Sequence, residues 1–252
     1  MAPAPGSWEP AWEEVAAVLA AAVAYAAAVR RTRIERWRLA AFGLALVLVV
    51  AVLVSPLETL ALHYFLWAHL VQNVALAEWA PALAVIGLGP ALGLQIGRSW
   101  IVRAITTPYV ALPLWLATYG LWHVPALYDA ALRHRPLLDL EHLSYLLAGL
   151  VLWWPVLQDA PRALRAGAKA AYLFAAFVLA SPLGLILALL PSPIYGFYEN
   201  APRLWGIAPL ADQQIAGVVM AVSEGILFFA LFARFFVRFM AEEDEGYSHA
   251  DA

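Results

Sequence analysis

Residues 38–54 read RLAAFGLALVLVVAVLV, a stretch whose single charge is its first residue. A helix needs about 20 predominantly apolar residues to cross a hydrocarbon core ~30 Å thick, and a run this free of polar groups presents no face to water. Similar text recurs along the chain. Glycines, prolines and charges divide it into apolar segments near 12–29, 38–54, 64–86, 105–123, 140–157, 168–190 and 210–237. This pattern predicts an all-α, polytopic membrane protein, a seven-transmembrane-helix bundle in which residues 1–252 form a single integral membrane domain. The first segment is Ala-rich and no small-residue cleavage site clearly follows it, so it reads as a retained span and not a signal peptide. Residues 84–104 hold Gly87, Gly89, Pro90, Gly93 and Gly97, a pattern that predicts a short irregular or membrane-surface segment between the third and fourth spans.

Composition agrees. Of 252 residues 64% are apolar and 13% charged, where soluble domains carry about 25% charged residues, and the mean hydropathy is +0.75. A soluble enzyme is excluded. The net charge of −3 comes without the basic patch that nucleic acid demands. There is no cysteine, so disulfides and thiolate metal sites are excluded and any metal must rely on His, carboxylate or Met. Twelve of the fifteen basic residues fall at one end of the predicted bundle, beginning with Arg30, Arg31, Arg33, Arg36 and Arg38; only Arg133, Arg135 and Arg203 fall at the other. Because Lys and Arg concentrate in cytoplasmic loops, the N-terminus is expected outside and the C-terminus, with its Glu242–Glu245 acidic run, in the cytoplasm.

The polar residues inside the spans are few and unevenly placed. His63, His69, His123, His134 and His142 all lie at or near the expected outer end, and only His249 is on the cytoplasmic side. Polar groups facing lipid are costly, so His69, His123 and His142, on three different spans at one level, are expected to turn inward, where imidazoles suit copper, zinc or haem iron. Gln72 lies one turn from His69, while Asp212, Gln213 and Met220 bring the last span to the same region. His63 and His134 read as interface residues. Deeper still are Glu78 and Glu224, whose similar depth in spans three and seven predicts an intramembrane acid pair, either structural or part of an ion or proton path.

Several polar islands resemble the multi-span CtaG family of cytochrome c oxidase assembly factors known from caa-type oxidases. They are Ser55-Pro56-Leu57-Glu58, His69-Leu70-Val71-Gln72-Asn73, Leu121-Trp122-His123-Val124-Pro125 with Tyr128-Asp129, Glu141-His142, and Leu210-Ala211-Asp212-Gln213-Gln214-Ile215-Ala216-Gly217. The resemblance implies a multi-pass protein of the bacterial plasma membrane. It further implies a role in maturing a haem–copper oxidase, with the oxidase subunits and membrane lipid as partners and copper as the metal handled. The chain departs from the family pattern at Asn73, which stands for a His, at Ala221, which stands for a Trp, and at Glu78 and Glu224, where apolar or small residues are usual.

The leading expectation is therefore a non-enzymatic assembly factor that binds or delivers copper at an outer-leaflet site of His69, His123, His142, Gln72, Asp212, Gln213 and Met220. A metal or proton transporter using the same cluster plus Glu78 and Glu224 is the alternative, and a haem-binding membrane protein a further one. Neither a nucleophile elbow nor a glycine-rich phosphate loop with Lys is present. The metal, the client oxidase and the oligomeric state stay open at this level. The basic asymmetry predicts that a cysteine placed at Ser7 reacts with an impermeant maleimide in intact cells and that one at Ser248 reacts only after lysis; the reverse pattern would invert the topology.

Overall fold

The computed structural model describes residues 2–9 and 11–250, with side chains as far as Asp244; Ser248 and His249 are thus outside the described side chains. The described chain is helical throughout. In chain order the helices are α1 (Trp12–Val29), α2 (Arg36–Val54), α3 (Pro56–His63) and α4 (Leu66–Val74), a π-helical turn (Ala75–Trp79), then α5 (Ala80–Ile96) and α6 (Trp100–Ile105). There follow α7 (Pro108–Trp122), α8 (Pro125–Arg133), α9 (Arg135–Leu157), α10 (Ala166–Leu189), α11 (Gly196–Glu199) and α12 (Pro209–Ala250). Six helical stretches are long and apolar enough to span a bilayer, and the bent pair α7–α8, which turns by 72°, makes a seventh if counted as one span.

The segment from 84 to 104 differs from its expectation. The helix does not dissolve there but continues to Ile96, so that Leu66–Ile96 is one broken stretch of 31 residues. It breaks at Gly89, which takes φ +65°, a conformation closed to most side chains, and at Pro90, which has no N–H to give to the preceding turn. Three carbonyls open at this break, and each has found a donor from another helix. Gln158 Nε2 donates to Val85 O (2.7 Å), Arg38 Nη1 to Ile86 O (2.9 Å) and the Tyr25 hydroxyl to Gly87 O (2.8 Å). In hydrocarbon an orphaned carbonyl costs several kcal/mol, which is why the break is paid out to partners on α1, α2 and the end of α9.

The opposite end of that stretch has the same problem. Phe65 precedes α4 and has no side-chain acceptor for the first N–H groups of the helix. Asp212, near the start of α12, supplies both of its oxygens instead, accepting from Leu66 N (2.9 Å) and Trp67 N (3.1 Å). Its neighbour Gln213 accepts from Ile194 N (2.8 Å) and donates to Leu187 O and Ser192 O, closing the end of α10 and the loop beyond it. Asp129 of α8 accepts from Phe197 N (3.1 Å), fixing α11. Ser55 caps α3 by accepting from Leu57 N, with Pro56 in the first helical turn.

Between these ends the helices pack by small residues and aromatic rings. α10 and α12 approach so closely that a Cβ at Gly217 would run into the backbone of Gly184 and Ala188. α9 meets the π-helical turn at Gly149, where a Cβ would collide with Ala77 O. α1 stands apart: none of its residues is buried, and it rests chiefly on α2.

Asp212→Ala should strip two buried N–H groups of their acceptor, at about 1–3 kcal/mol per group. We expect a marked fall in the thermal unfolding midpoint in detergent, and a smaller one for Asp212→Asn, which keeps one acceptor oxygen. Equal midpoints for wild type and Asp212→Ala would show that the cap contributes nothing.

Candidate functional site

The ends of α4, α7, α9 and α12 that face the 190–208 loop enclose a polar cluster arranged around the ring of Tyr128. His69, His123 and His142 are each no more than 5% exposed. The His69 ring centroid lies 5.1 Å from that of Tyr128 and 5.9 Å from that of His142, while that of His123 lies 6.1 Å from Tyr128. His69 thus neighbours both Tyr128 and His142, and His123 reaches the cluster through Tyr128. Glu141, fully buried, faces His69: its Oε1 is 3.5 Å from His69 Nε2, long for a hydrogen bond, and it accepts from Asn73 Nδ2 at 3.0 Å. The position where the family pattern has a histidine thus anchors the carboxylate.

Hydrogen-bond partners assign the protons on two of the rings. The Tyr198 hydroxyl donates its one proton to Ala61 O (2.6 Å), so at 3.0 Å it accepts from His69 Nδ1. Burial pushes the phenols of Tyr198 and Tyr195 up from their ordinary value, which keeps them protonated donors; Tyr195 gives its proton to His123 O (3.2 Å). His123 Nδ1 is 2.8 Å from Tyr119 O, which can only accept, so this nitrogen too carries the proton. In both rings the proton held at Nδ1 leaves Nε2 its lone pair, and neither Nε2 has a hydrogen-bond partner. A ring held through one nitrogen by a hydroxyl or carbonyl, with the other nitrogen open, is the arrangement in which histidines ligate metals. His142 has both nitrogens unpartnered, as are the Tyr128 hydroxyl and Glu141 Oε2. It also lines a cavity of about 470 Å³ between α1, α2, α5 and α9 that is apolar apart from Glu13, Glu14 and Asp139.

The other expected ligands are placed elsewhere or occupied. Asp212 and Gln213 serve the caps described above. Gln72 donates to Val52 O and, at 2.5 Å, to Glu58 Oε2. Met220 is fully buried among apolar residues. His63 pairs with Glu9 (2.8 Å) and His134 is exposed, as expected of interface residues. Among the described residues no three His, Asp or Glu side chains come close enough to hold one metal ion together. Glu141, Tyr128, Tyr195 and Tyr198 were not singled out from sequence as site residues. Glu141 adjoins His142, and adjacent residues on a helix point about 100° apart, so one signal masked the other; Tyr198 is 129 residues from His69 with nothing local to announce it.

Glu58 closes the cluster on the side of α3. The Ser55-to-Glu58 spacing is that of a capping box, yet Glu58 turns inward to Gln72 and to Arg135 Nη1 (3.3 Å). Arg135 in turn contacts Glu14 and Asp139. Further down, Glu78 and Glu224 are both fully buried, the charge of Glu224 acts on Glu78, and the Tyr119 hydroxyl donates to Glu224 Oε1.

Six helical stretches long and apolar enough to cross a bilayer, seven with the bent pair, make this a multi-pass helical membrane protein. The family model described as cytochrome c oxidase caa3 assembly factor (Caa3_CtaG) matches residues 23–242, most of the chain, and the protein belongs to that family. No curated protein and no solved structure matches it.

Burial pushes the Glu58 carboxyl up to about 7, against the Gln72 hydrogen bond and the Arg135 charge that pull it down. A carboxyl with a raised value in the folded state stabilises that state while protonated, so the contribution is complete below about pH 4.5 and is lost as pH rises toward 7. The unfolding midpoint of the wild type should therefore fall between pH 5 and 8 more steeply than that of Glu58→Gln. Parallel pH profiles for the two proteins would show that Glu58 does not titrate in this range.

Proposed function

We propose that this protein serves the maturation of a haem–copper oxidase in a bacterial plasma membrane by holding copper in transit at the His69–His123–His142 cluster. Copper here is cargo, passed on and not retained. The observation that carries this reading is the pair of open Nε2 positions on His69 and His123, each set by a proton fixed at Nδ1. Imidazole suits copper, and the absence of cysteine leaves histidine, Met and carboxylate as the available donors. Glu141 beside His69 supplies negative charge for an incoming cation. Among the described residues no three such side chains close around one ion, which suits release to an acceptor site better than a closed four-ligand centre would. The donors come from this chain, and the oxidase subunits are the partners to which copper passes.

The test is copper content after reconstitution, by elemental analysis of protein in gentle detergent. His69→Ala, His123→Ala and His142→Ala should each lose most of the bound copper, and His134→Ala, at an exposed position, should keep it. Equal retention by all four variants would overturn the shared site. Failure of the first three variants to restore oxidase activity in a deletion strain, beside full restoration by His134→Ala, would tie the same residues to maturation.

A further inference from the structure

The strongest feature outside the histidine cluster lies in the middle of the bundle. The π-helical turn Ala75–Trp79 carries Glu78, and such turns interrupt a helix where one extra residue must be accommodated, often at functional positions. Its local cause is Pro81, which has no N–H to give to Ala77 O, while Gly149 of α9 allows the backbone there to come close. Glu224 of α12 faces the same interior and accepts from Tyr119 of α7. Both acids are 0% exposed, and the charged group acting on Glu78 is Glu224 itself.

The groups on the surrounding helices supply no compensating positive charge. α7 contributes Tyr119, and α9 contributes Tyr145, whose ring is 6.1 Å from that of Tyr119. α10 carries Tyr172, which donates to Leu152 O, and Lys169, which pairs with Asp159. α2 has Arg36 and Arg38 at its far end, the latter on Ile86 O. Two ionised carboxylates in this setting would repel at low dielectric, so the site needs either protons or a bound cation. Glu78 Oε1 and Oε2 and Glu224 Oε2 lack donors, while the fully buried indole N–H groups of Trp115 and Trp153 lack acceptors. Trp115 stacks on Tyr119 at 5.0 Å, and both indoles flank Phe228, one turn beyond Glu224. Tyr119 already donates to Glu224, and a protonated carboxyl turns an open oxygen into a donor, so protons meet the need from within the chain.

We propose that Glu78, Glu224 and Tyr119 form a proton-binding site at the centre of the bundle, in which the two carboxyl groups share protons with enclosed water. Tyr119 links it to the histidine cluster: its hydroxyl is on Glu224 and its carbonyl accepts from His123 Nδ1. A cation arriving at His123 can therefore be felt at the acids through one residue. The proposal does not depend on copper being that cation.

The experiment is infrared spectroscopy of the full chain in lipid nanodiscs. A protonated-carboxyl C=O stretch that shifts down in deuterium oxide is expected at pH 8, above the titration of Glu58. Its intensity should fall in Glu78→Gln and in Glu224→Gln, persist in Glu58→Gln, and move in frequency in Tyr119→Phe. Absence of such a band from the wild type at pH 8 would overturn the proposal, whether or not the Gln variants fold. So would a band unchanged in Tyr119→Phe and in both Gln variants, or unfolding midpoints that rise with added sodium, potassium or magnesium in the wild type and not in Glu78→Gln.

Discussion

Every polar backbone group that a break in a buried helix sets free has to find a partner inside the protein, because the hydrocarbon around it offers none. Much of this structure is organised by that demand. Gly89 and Pro90 open three successive carbonyls, and Gln158, Arg38 and Tyr25 reach in from three other helices to close them. The start of α4 exposes N–H groups, and Asp212 closes those from the far end of the chain. The Asp212 contacts tie the first turn of α4, one turn before His69, to α12.

The cluster shows the same economy among its side chains. Each ring nitrogen that must be protonated is held by an atom able only to accept, or by a hydroxyl whose proton is already given away. What is left open faces inward. Asn73 is part of this order: an amide there donates to Glu141 and keeps the carboxylate oriented, where an imidazole would compete with His69 for the same neighbour. Glu58, Gln72 and Arg135 form a second layer that joins α3 to α4 and α9.

Much of the bundle was legible from sequence because spanning a bilayer requires a length of apolar residues that no local accident produces. The expected spans match the helices to within a few residues for α1, α2 and α10. Residues 84–104 were not legible in detail, since Gly and Pro announce a break and cannot announce that Arg38, Tyr25 and Gln158 will repair it. His69, His123 and His142 were legible by depth alone. Asp212, Gln213 and Gln72 were recognised as polar residues that must face inward, but their use as caps depends on partners up to 146 residues away, and composition carries no trace of that. Tyr128 looked like part of a motif, and only the packed structure brings its ring beside two imidazoles.

The Asp212 cap also has a bearing on how the chain is made. Leu66 and Trp67 leave the ribosome long before Asp212 does, and until α12 is inserted the first turn of α4 has no acceptor for its N–H groups. A nascent chain that has threaded its earlier helices into the bilayer therefore still carries an open helix end beside His69. The first turn of α4 is closed only once α12 is in place, so the third span and the polar groups beside it reach their finished form after a helix made far later in synthesis.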